Sequence, residues 1–408
     1  MKRIHEIFKS TSVLVFTDQL IFSGSNFLLT FLLVRKLSIS EFGIFSSILL
    51  ITYFLVGISN AFIVQPFQIL SAKNFSKKSL GFAFLASLVL ISVFSLIIFF
   101  ITFLHTPATA FLKTNLSAII IFISAYILQD FLRKILLITD HIKIVIFIDT
   151  VFIIVFPLIW FETSLSLWKS LYIIGIVNFA ASIPGIGYLI KNADFSLKNT
   201  SFLHYYFAEG KWLLSASVLQ WLSGNFFTLA AGVYLGINAL GALRLVQSFF
   251  GIINVILQTI ENYYLPKTAQ LYYQNKNQEK KELLLKMKKA IAVLAIMIIC
   301  FFTFSESLII MLGGEKYHQY GFVIKLVSAL YIVILYSYPT RISIRILEQN
   351  KAFFIGYCIS FVFSVLSFHF LLKYGQLYGA VTGLAVNQVI MIVYWKIILN
   401  KKQISVWA

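Results

Sequence analysis

Residues 234–266, YLGINALGALRLVQSFFGIINVILQTIENYYLP, form an apolar stretch long enough to span a bilayer, yet polar side chains recur along it. Arg244, Gln247, Asn254, Gln258 and Glu261 fall within an arc of roughly 100° on a helical wheel. An arginine near the bilayer centre costs about 2.5–3.5 kcal/mol even on the lenient insertion scale. The stretch therefore predicts a membrane helix whose polar stripe faces protein or water instead of lipid.

The composition of the 408-residue chain excludes a soluble globular protein. Hydrophobic residues make up 60% of the chain and charged residues only 12%, whereas a soluble domain is about 25% charged. The mean hydropathy is +0.90. The alternating strands of a membrane barrel are absent from the sequence, so the spans are predicted to be helices. The predicted fold class is an all-α polytopic membrane protein.

Twelve transmembrane helices are predicted, because about 20 helical residues are needed to cross about 30 Å of hydrocarbon. They cover residues 12–34, 43–67, 80–104, 116–138, 144–161, 169–190, 212–236, 241–265, 289–312, 321–346, 353–373 and 376–399. An even number places both termini on one side, where most of the 33 Lys and Arg residues then fall. The positive-inside rule makes that side the cytoplasm. Anionic lipid against these segments accounts for the net charge of +18 without nucleic acid.

The two halves of the chain show a weak internal likeness. Residues 23–24 (Ser-Gly) match residues 223–224, and Pro66 matches Pro266. This pattern predicts two six-helix lobes that are parallel repeats related by an axis along the membrane normal, an arrangement typical of transporters. The predicted lobes are residues 1–190 and 212–408, with residues 191–211 as an amphipathic cytoplasmic linker.

Polar stripes also mark the first span of each half. Gln19, Ser23 and Asn26 share one helical face in the first span, and Gln220 and Asn225 lie in the seventh. Two interpretations are open. Such residues hold helices together at tight seams. Repeated in equivalent helices of both halves, with an arginine in the eighth span, they favour a water-filled cavity.

The sequence carries no sign of enzyme chemistry. Its six histidines are scattered, and none is paired with Cys, Asp or Glu at metal-ligand spacing. It has no glycine-rich phosphate loop followed by Lys and Ser or Thr. Cys300 and Cys358 fall within spans, which favours core packing over a disulfide. We therefore predict a protein that is not an enzyme, with no catalytic residue, cofactor or metal.

Charged residues inside the spans are candidates for contact with substrate or ions. Arg244 and Lys325 would bind an anion, since a guanidinium in particular matches phosphate in a bidentate fork; alternatively, each snorkels to the outer interface. Asp18 is either a proton or cation site or a salt-bridge partner. Glu261 is an ion-coupling candidate or an interfacial residue near the inner end of its helix.

A second group of charges surrounds the connection between the fourth and fifth spans. Asp130 and Asp149 flank Arg133 and Lys134 in the sequence. Ion pairing close to the cytoplasmic surface is the predicted role of these four residues.

The segment that follows the first span, LVRKLSISEFGIFSSI at residues 33–48, resembles the signature L-x-x-x-E-F/Y-G-x-[FY] of bacterial polysaccharide and O-antigen flippases. Residues 234–266 resemble the same proteins, which belong to the multidrug/oligosaccharidyl-lipid/polysaccharide (MOP) exporter superfamily. The resemblance implies a V-shaped, MATE-like pair of six-helix lobes around a cavity lined by spans 1, 2, 7 and 8. It also implies alternating access for undecaprenyl-diphosphate-linked oligosaccharides. Arg244 matches a position at which basic residues hold the diphosphate.

The leading hypothesis is a flippase of the bacterial inner membrane for a polyprenyl-diphosphate-linked oligosaccharide, such as an O-antigen repeat unit in lipopolysaccharide biosynthesis. Its expected partners are this substrate and membrane lipids, and it would act as a monomer. The alternatives are a cation-coupled multidrug exporter of the same superfamily and a membrane-embedded glycan polymerase, for which the outer loops are short. The substrate-binding candidates are Arg244, Gln247, Asn254, Gln258, Gln19, Asn26, Gln220, Asn225 and Lys325, and the ion-coupling candidates are Asp18 and Glu261.

Overall fold

The computed structural model describes residues 11–104, 113, 115–196, 201–274, 276–347 and 349–401. All regular secondary structure within these ranges is helical, which confirms the predicted all-α class. The predicted positions of the two termini, and residues 197–200 of the predicted linker, lie outside the described residues.

The chain divides into two compact units, residues 1–218 and 219–408. The first unit contains α1 (Thr11–Lys36), α2 (Ile39–Ser59), α3 (Gln65–Asn74), α4 (Lys77–Ile101), α5 (Leu116–Ile138), α6 (Ile142–Phe152), α7 (Val155–Phe161) and α8 (Leu167–Asn192). A π-helical turn, Asn60–Val64, joins α2 to α3.

The second unit begins within a long helix, α9 (Ser201–Leu235), which the boundary at residue 218 divides. It continues with α10 (Ile237–Tyr273), α11 (Asn277–Thr303), α12 (Ser305–Gly313), α13 (Gly321–Ile346) and α14 (Asn350–Lys401). A short 3-10 helix, Glu315–Tyr320, precedes α13.

The described helices give the twelve spans that the sequence predicts. Nine helical segments are long and apolar enough to cross a membrane, and α11 with α12, bent by 81° at their junction, makes a tenth span. The 52-residue α14 holds two spans, because Gln376 interrupts it with a φ of 47° that a helix does not accommodate. The 35-residue α9 completes the set.

Two spans of the first unit depart from simple straight helices. The second continues past its predicted end at residue 67 to Asn74, through the π-helical turn. Pro66 lies just after that turn and has no N–H to donate to the helix, so the regular hydrogen-bond pattern cannot pass through it unchanged. The fifth span is broken between Phe152 and Val155 into α6 and α7.

The third span shows how the first unit separates lipid-facing from protein-facing surface. Val89, Leu96 and Phe100 of α4 are exposed large apolar side chains, which suits contact with hydrocarbon. The opposite side of α4 packs through Leu80 and Phe84 into a buried cluster with residues of α3 and α5. One helix thus has a lipid face and a core face, although both are apolar.

Glu41 of the sequence signature closes the N-terminus of α2 and ties it to α8. Its backbone N–H donates to Ser38 Oγ at 3.2 Å, and the Ser38 N–H donates back to Glu41 Oε2 at 3.1 Å. This reciprocal capping box satisfies two otherwise unpaired donors. The other carboxylate oxygen, Oε1, accepts from the N–H of Leu167 at the start of α8, at 3.3 Å.

Replacing Glu41 with Ala should lower the free energy of unfolding by about 1–2 kcal/mol, because it removes both the cap and the bond to Leu167. Thermal unfolding of the purified protein in detergent measures the change. Glu162→Ala is the matched control, since that carboxylate bonds Lys169 and Ser164, both within seven residues of it in the chain. An equal loss in both variants would contradict the assigned role of Glu41.

Candidate functional site

A buried ion cluster joins three helices of the first unit. Arg133 on α5 donates from Nη2 to both carboxylate oxygens of Asp18 on α1, at 3.1 and 3.2 Å. Its Nε lies 2.8 Å from Oδ1 of Asp149 on α6. The side chains of Arg133, Asp18 and Asp149 are only 6%, 3% and 1% exposed. The guanidinium also lies over the ring of Phe22, 3.7 Å from its centroid, a cation–π contact that is strongest when desolvated.

This cluster assigns roles that the sequence left open. Asp18 forms a salt bridge, one of its two predicted roles, with Arg133 as the cation; its role as a proton or cation site stays a prediction. Arg133 was expected to form ion pairs, and it does, with its side chain buried within the first unit. Lys134 does form the predicted local pair with Asp130, at 2.8 Å. A usable signal was Gln129, also buried, one helical turn before Arg133 on the same face of α5.

The predicted polar stripe of α1 is bonded largely within its own helix. Gln19 Nε2 donates to Ser23 Oγ at 3.1 Å, and Asn26 Nδ2 donates to the carbonyl of Phe22 at 2.8 Å. Gln19 and Asn26 are both half-buried. Bonds of this kind hold the two amide side chains in place on the helix.

In the second unit the structure brings Arg244 and Gln247 together. Arg244 Nη1 donates to Gln247 Oε1 at 3.3 Å, and Gln247 Nε2 donates to Thr228 Oγ1 on α9 at 2.9 Å. Both Arg244 and Gln247 are half-buried. The relay orients a guanidinium from α10 through a hydroxyl that is itself fully buried on α9. Asn225, also on α9, donates to the carbonyl of Trp221 at 3.0 Å.

A pocket of about 180 Å³ lies inside the second unit, between α10, α13 and α14. One predicted residue lines this pocket, and a second bonds a residue of its wall. Asn254 of α10 lines it, and Gln220 of α9 donates to the hydroxyl of Tyr357 in its wall, at 3.3 Å. Gln258 lies one turn beyond Asn254 on α10 and is exposed. The complete lining is Asn254, Leu257, Ile334, Ser337, Tyr338, Arg341, Tyr357, Gln388 and Trp395.

Glu261 lies between two arginines of α13. Its Oε2 is 3.8 Å from Arg341 Nε, and its Oε1 accepts from Arg345. The Glu261 side chain is only 8% exposed. The sequence did not single out Arg341 or Arg345 as membrane cations, because they sit near the predicted inner end of a span.

Lys325 is placed apart from these groups. It pairs with Glu306 of α12 at 3.5 Å, and their side chains are 42% and 68% exposed. Cys300 and Cys358 are both free thiols. Over the part of the chain that the structure describes, no group of three or more His, Cys, Asp or Glu side chains is arranged to hold a metal ion.

Comparison with known proteins shows which fold this is. No family model matches the chain, and no curated protein matches it. Among solved structures, the lipid II flippase MurJ in an inward closed conformation is similar over 96% of this chain and 87% of its own, with a TM-score of 0.68 at 16% identity. An inward-facing multidrug resistance MATE family transporter of the MOP superfamily is similar over 97% and 96%, with a TM-score of 0.66 at 13% identity. The Vibrio cholerae MATE transporter VcmN in the bent form matches over 96% and 97%, with a TM-score of 0.58 at 13% identity.

These likenesses confirm, at the level of the fold, the resemblance to MOP exporters that the sequence showed. The chain is a multi-pass membrane protein with the fold shared by MurJ and the MATE transporters. Since these three structures are only 13–16% identical to the chain, its substrate has to be argued from its own residues.

Replacing Arg133 with Met should destabilise the first unit by about 3–5 kcal/mol, because two carboxylates would stay buried without a counter-ion. Asp18→Asn should cost far less, since it leaves Arg133 and Asp149 as a neutral pair. Unfolding of each variant in detergent, followed by intrinsic fluorescence, measures the difference. Equal destabilisation by the two substitutions would contradict this description of the cluster.

Proposed function

We propose that this chain is a flippase that moves a polyprenyl-diphosphate-linked oligosaccharide across the bacterial inner membrane by alternating access. The observation that carries the proposal is Arg244, a half-buried guanidinium on a membrane helix, oriented by Gln247 and Thr228. A guanidinium is the side chain best suited to a diphosphate, because its planar fork donates two parallel charge-assisted hydrogen bonds. The likeness in fold to a lipid II flippase supports the same reading.

The polar stripes supply what the rest of such a substrate needs. Moving one sugar hydroxyl into hydrocarbon without a partner costs about 4–8 kcal/mol, so an oligosaccharide must travel through a hydrated path. Amide side chains along α1, α9 and α10 would accept and donate hydrogen bonds to the sugar there. The polyprenyl tail would stay in the lipid throughout. The proposed path residues are Gln19, Asn26, Gln220, Asn225, Gln247, Asn254 and Gln258, with Lys325 as an outlying cation for the anionic group.

The proposal includes the setting in which the protein works. Both termini would be cytoplasmic, in keeping with the excess of Lys and Arg in the segments on that side. The partners would be the lipid-linked oligosaccharide, which would serve O-antigen or another surface polysaccharide, and the membrane lipids. The protein would work as a monomer without catalysing a chemical step.

The alternative of a cation-coupled drug exporter would use Asp18 or Glu261 as the ion site. The likeness in fold to a MATE transporter supports this alternative. Both carboxylates are engaged by arginines, Asp18 by Arg133 and Glu261 by Arg341 and Arg345. A cation would therefore have to displace a guanidinium that is already in place. Dye efflux that depends on Na⁺ or H⁺ and is lost in Asp18→Asn, with unaltered surface glycan, would establish the exporter instead.

Arg244→Ala should reduce surface polysaccharide in a strain whose own copy of this protein is replaced by the variant. Loss of a charge-assisted contact worth about 1.5–3 kcal/mol slows substrate capture by roughly ten- to a hundredfold. Surface polysaccharide, quantified against the amount of protein in the membrane, is the measurement.

Lys373→Ala is the matched control, because it removes an exposed cation that lies beside Tyr374, near the break in α14. It should leave surface polysaccharide unchanged. Normal polysaccharide in Arg244→Ala at normal protein level would remove Arg244 from the mechanism.

A further inference from the structure

The pocket inside the second unit, here the Arg341 pocket, is built from three helices that the sequence did not connect. α10 contributes Asn254 and α13 contributes Arg341, while α14 contributes Tyr357 from before its break and Gln388 and Trp395 from after it. The pocket therefore exists only in the assembled unit. Its chemistry differs from the Arg244 relay, with which it shares no lining residue.

The charges around the Arg341 pocket do not cancel. Arg341 and Arg345 share one carboxylate, that of Glu261, which leaves one positive charge in excess in this group. Arg345 holds that carboxylate by a hydrogen bond, whereas Arg341 Nε lies 3.8 Å from it, beyond hydrogen-bond length. Among the described residues, Arg341 Nε has no hydrogen-bond partner although it is buried. Arg341 is also the only charged residue among those lining the pocket, so its unpaired Nε favours an anionic ligand.

The remaining walls suit a polyhydroxylated ring. Tyr338, Tyr357 and Trp395 line it, and each combines an apolar ring body with a polar tip, as a sugar combines C–H groups with hydroxyls. The amides of Asn254 and Gln388 can both donate and accept, as hydroxyl groups require.

These walls are also held in place by contacts outside the pocket. Phe353 stacks on Trp395 at 5.2 Å with only 7° between the rings, and Tyr357 meets Trp395 edge-on at 6.1 Å. Gln220 fixes the Tyr357 hydroxyl from α9. A site held by packing and outer hydrogen bonds is ready to bind without reorganising.

The size of the pocket limits its occupant. A pocket of about 180 Å³ is on the scale of one pyranose ring. Pockets for drug-sized ligands are larger, about 300–1,000 Å³. A multidrug site is therefore a poor fit, and so is a disaccharide.

From these features we infer that the Arg341 pocket is a subsite for one acidic saccharide, a pyranose that carries a carboxylate or a phosphate. The inference rests on the proposed function and specifies its substrate class. The acidic group comes either from a sugar acid within the repeat unit or from the phosphate attached to the first sugar. Both present an oxyanion to Arg341 while the ring lies against the aromatic side chains.

Ligand-observed saturation-transfer NMR on the full-length protein in detergent tests the inference, with glucuronate, glucose 1-phosphate, glucose and inorganic phosphate as probes. We expect the two acidic sugars to bind about tenfold more tightly than glucose or phosphate alone. Arg341→Gln should abolish that advantage. Lys396→Gln is the matched control, because it removes a cation next to Trp395 that bonds Tyr336 and does not line the pocket; it should bind the acidic sugars as the native chain does.

Tighter binding of glucuronate would assign the acidic group to a sugar acid, and tighter binding of glucose 1-phosphate would assign it to the phosphate on the first sugar. Three results would overturn the inference: unchanged binding in Arg341→Gln, phosphate binding as tightly as glucose 1-phosphate, or no binding by native protein that elutes as a single folded species.

A parallel assay of lipid-linked oligosaccharide transfer in vesicles separates the two claims. Transfer without binding of any probe defeats the subsite and spares the flippase, whereas binding without transfer defeats the flippase and spares the subsite.

Discussion

Hydrocarbon offers no hydrogen-bonding partner, and this constraint decides where the polar side chains of the chain's apolar helices lie. The guanidinium of Arg133 has the most complete set of partners, because Asp18 and Asp149 hold it and the ring of Phe22 covers it. The amides of Gln19 and Asn26 on α1 donate hydrogen bonds to a hydroxyl and a carbonyl of their own helix. Arg244 is only half-buried and is positioned by its bond to Gln247, which is the basis for the proposed contact with an anionic substrate.

The ion clusters of the two units have opposite ratios of carboxylates to guanidinium groups, although the sequence halves resemble each other. In the first unit, two carboxylates surround one guanidinium within a closed cluster. In the second, two guanidinium groups share the single carboxylate of Glu261, and Arg341 lines a pocket. A buried ion cluster of the first kind mainly fixes how helices pack. The positive excess of the second kind favours anions, which is why the proposed anion contacts, Arg244 and Arg341, both lie in the second unit.

The sequence predicted the fold class and the twelve spans well, because hydropathy and length alone specify a membrane helix. It also pointed to Arg244 and Gln247, which lie one turn apart on one helix and do bond each other.

Contacts between segments that are distant in the chain could not be predicted from the sequence. Arg133 and Asp18 are 115 residues apart, and the sequence around either residue does not identify the other as its partner. The Arg341 pocket was missed for the same reason, since α10, α13 and both parts of α14 supply its walls. Glu41 was recognised as part of a motif, but only the structure shows that it caps α2 and binds the start of α8.

Flipping can be measured as transfer of a fluorescently labelled polyprenyl-diphosphate oligosaccharide between the leaflets of reconstituted vesicles. Label in the outer leaflet is bleached by an impermeant reductant, so the rate at which the protected inner pool becomes accessible reports flipping. We expect a rate well above that of protein-free vesicles, and faster transfer for the diphosphate-linked oligosaccharide than for a neutral glycolipid with the same sugar. A rate equal to that of protein-free vesicles, with correctly folded protein in the membrane, would contradict the proposed function.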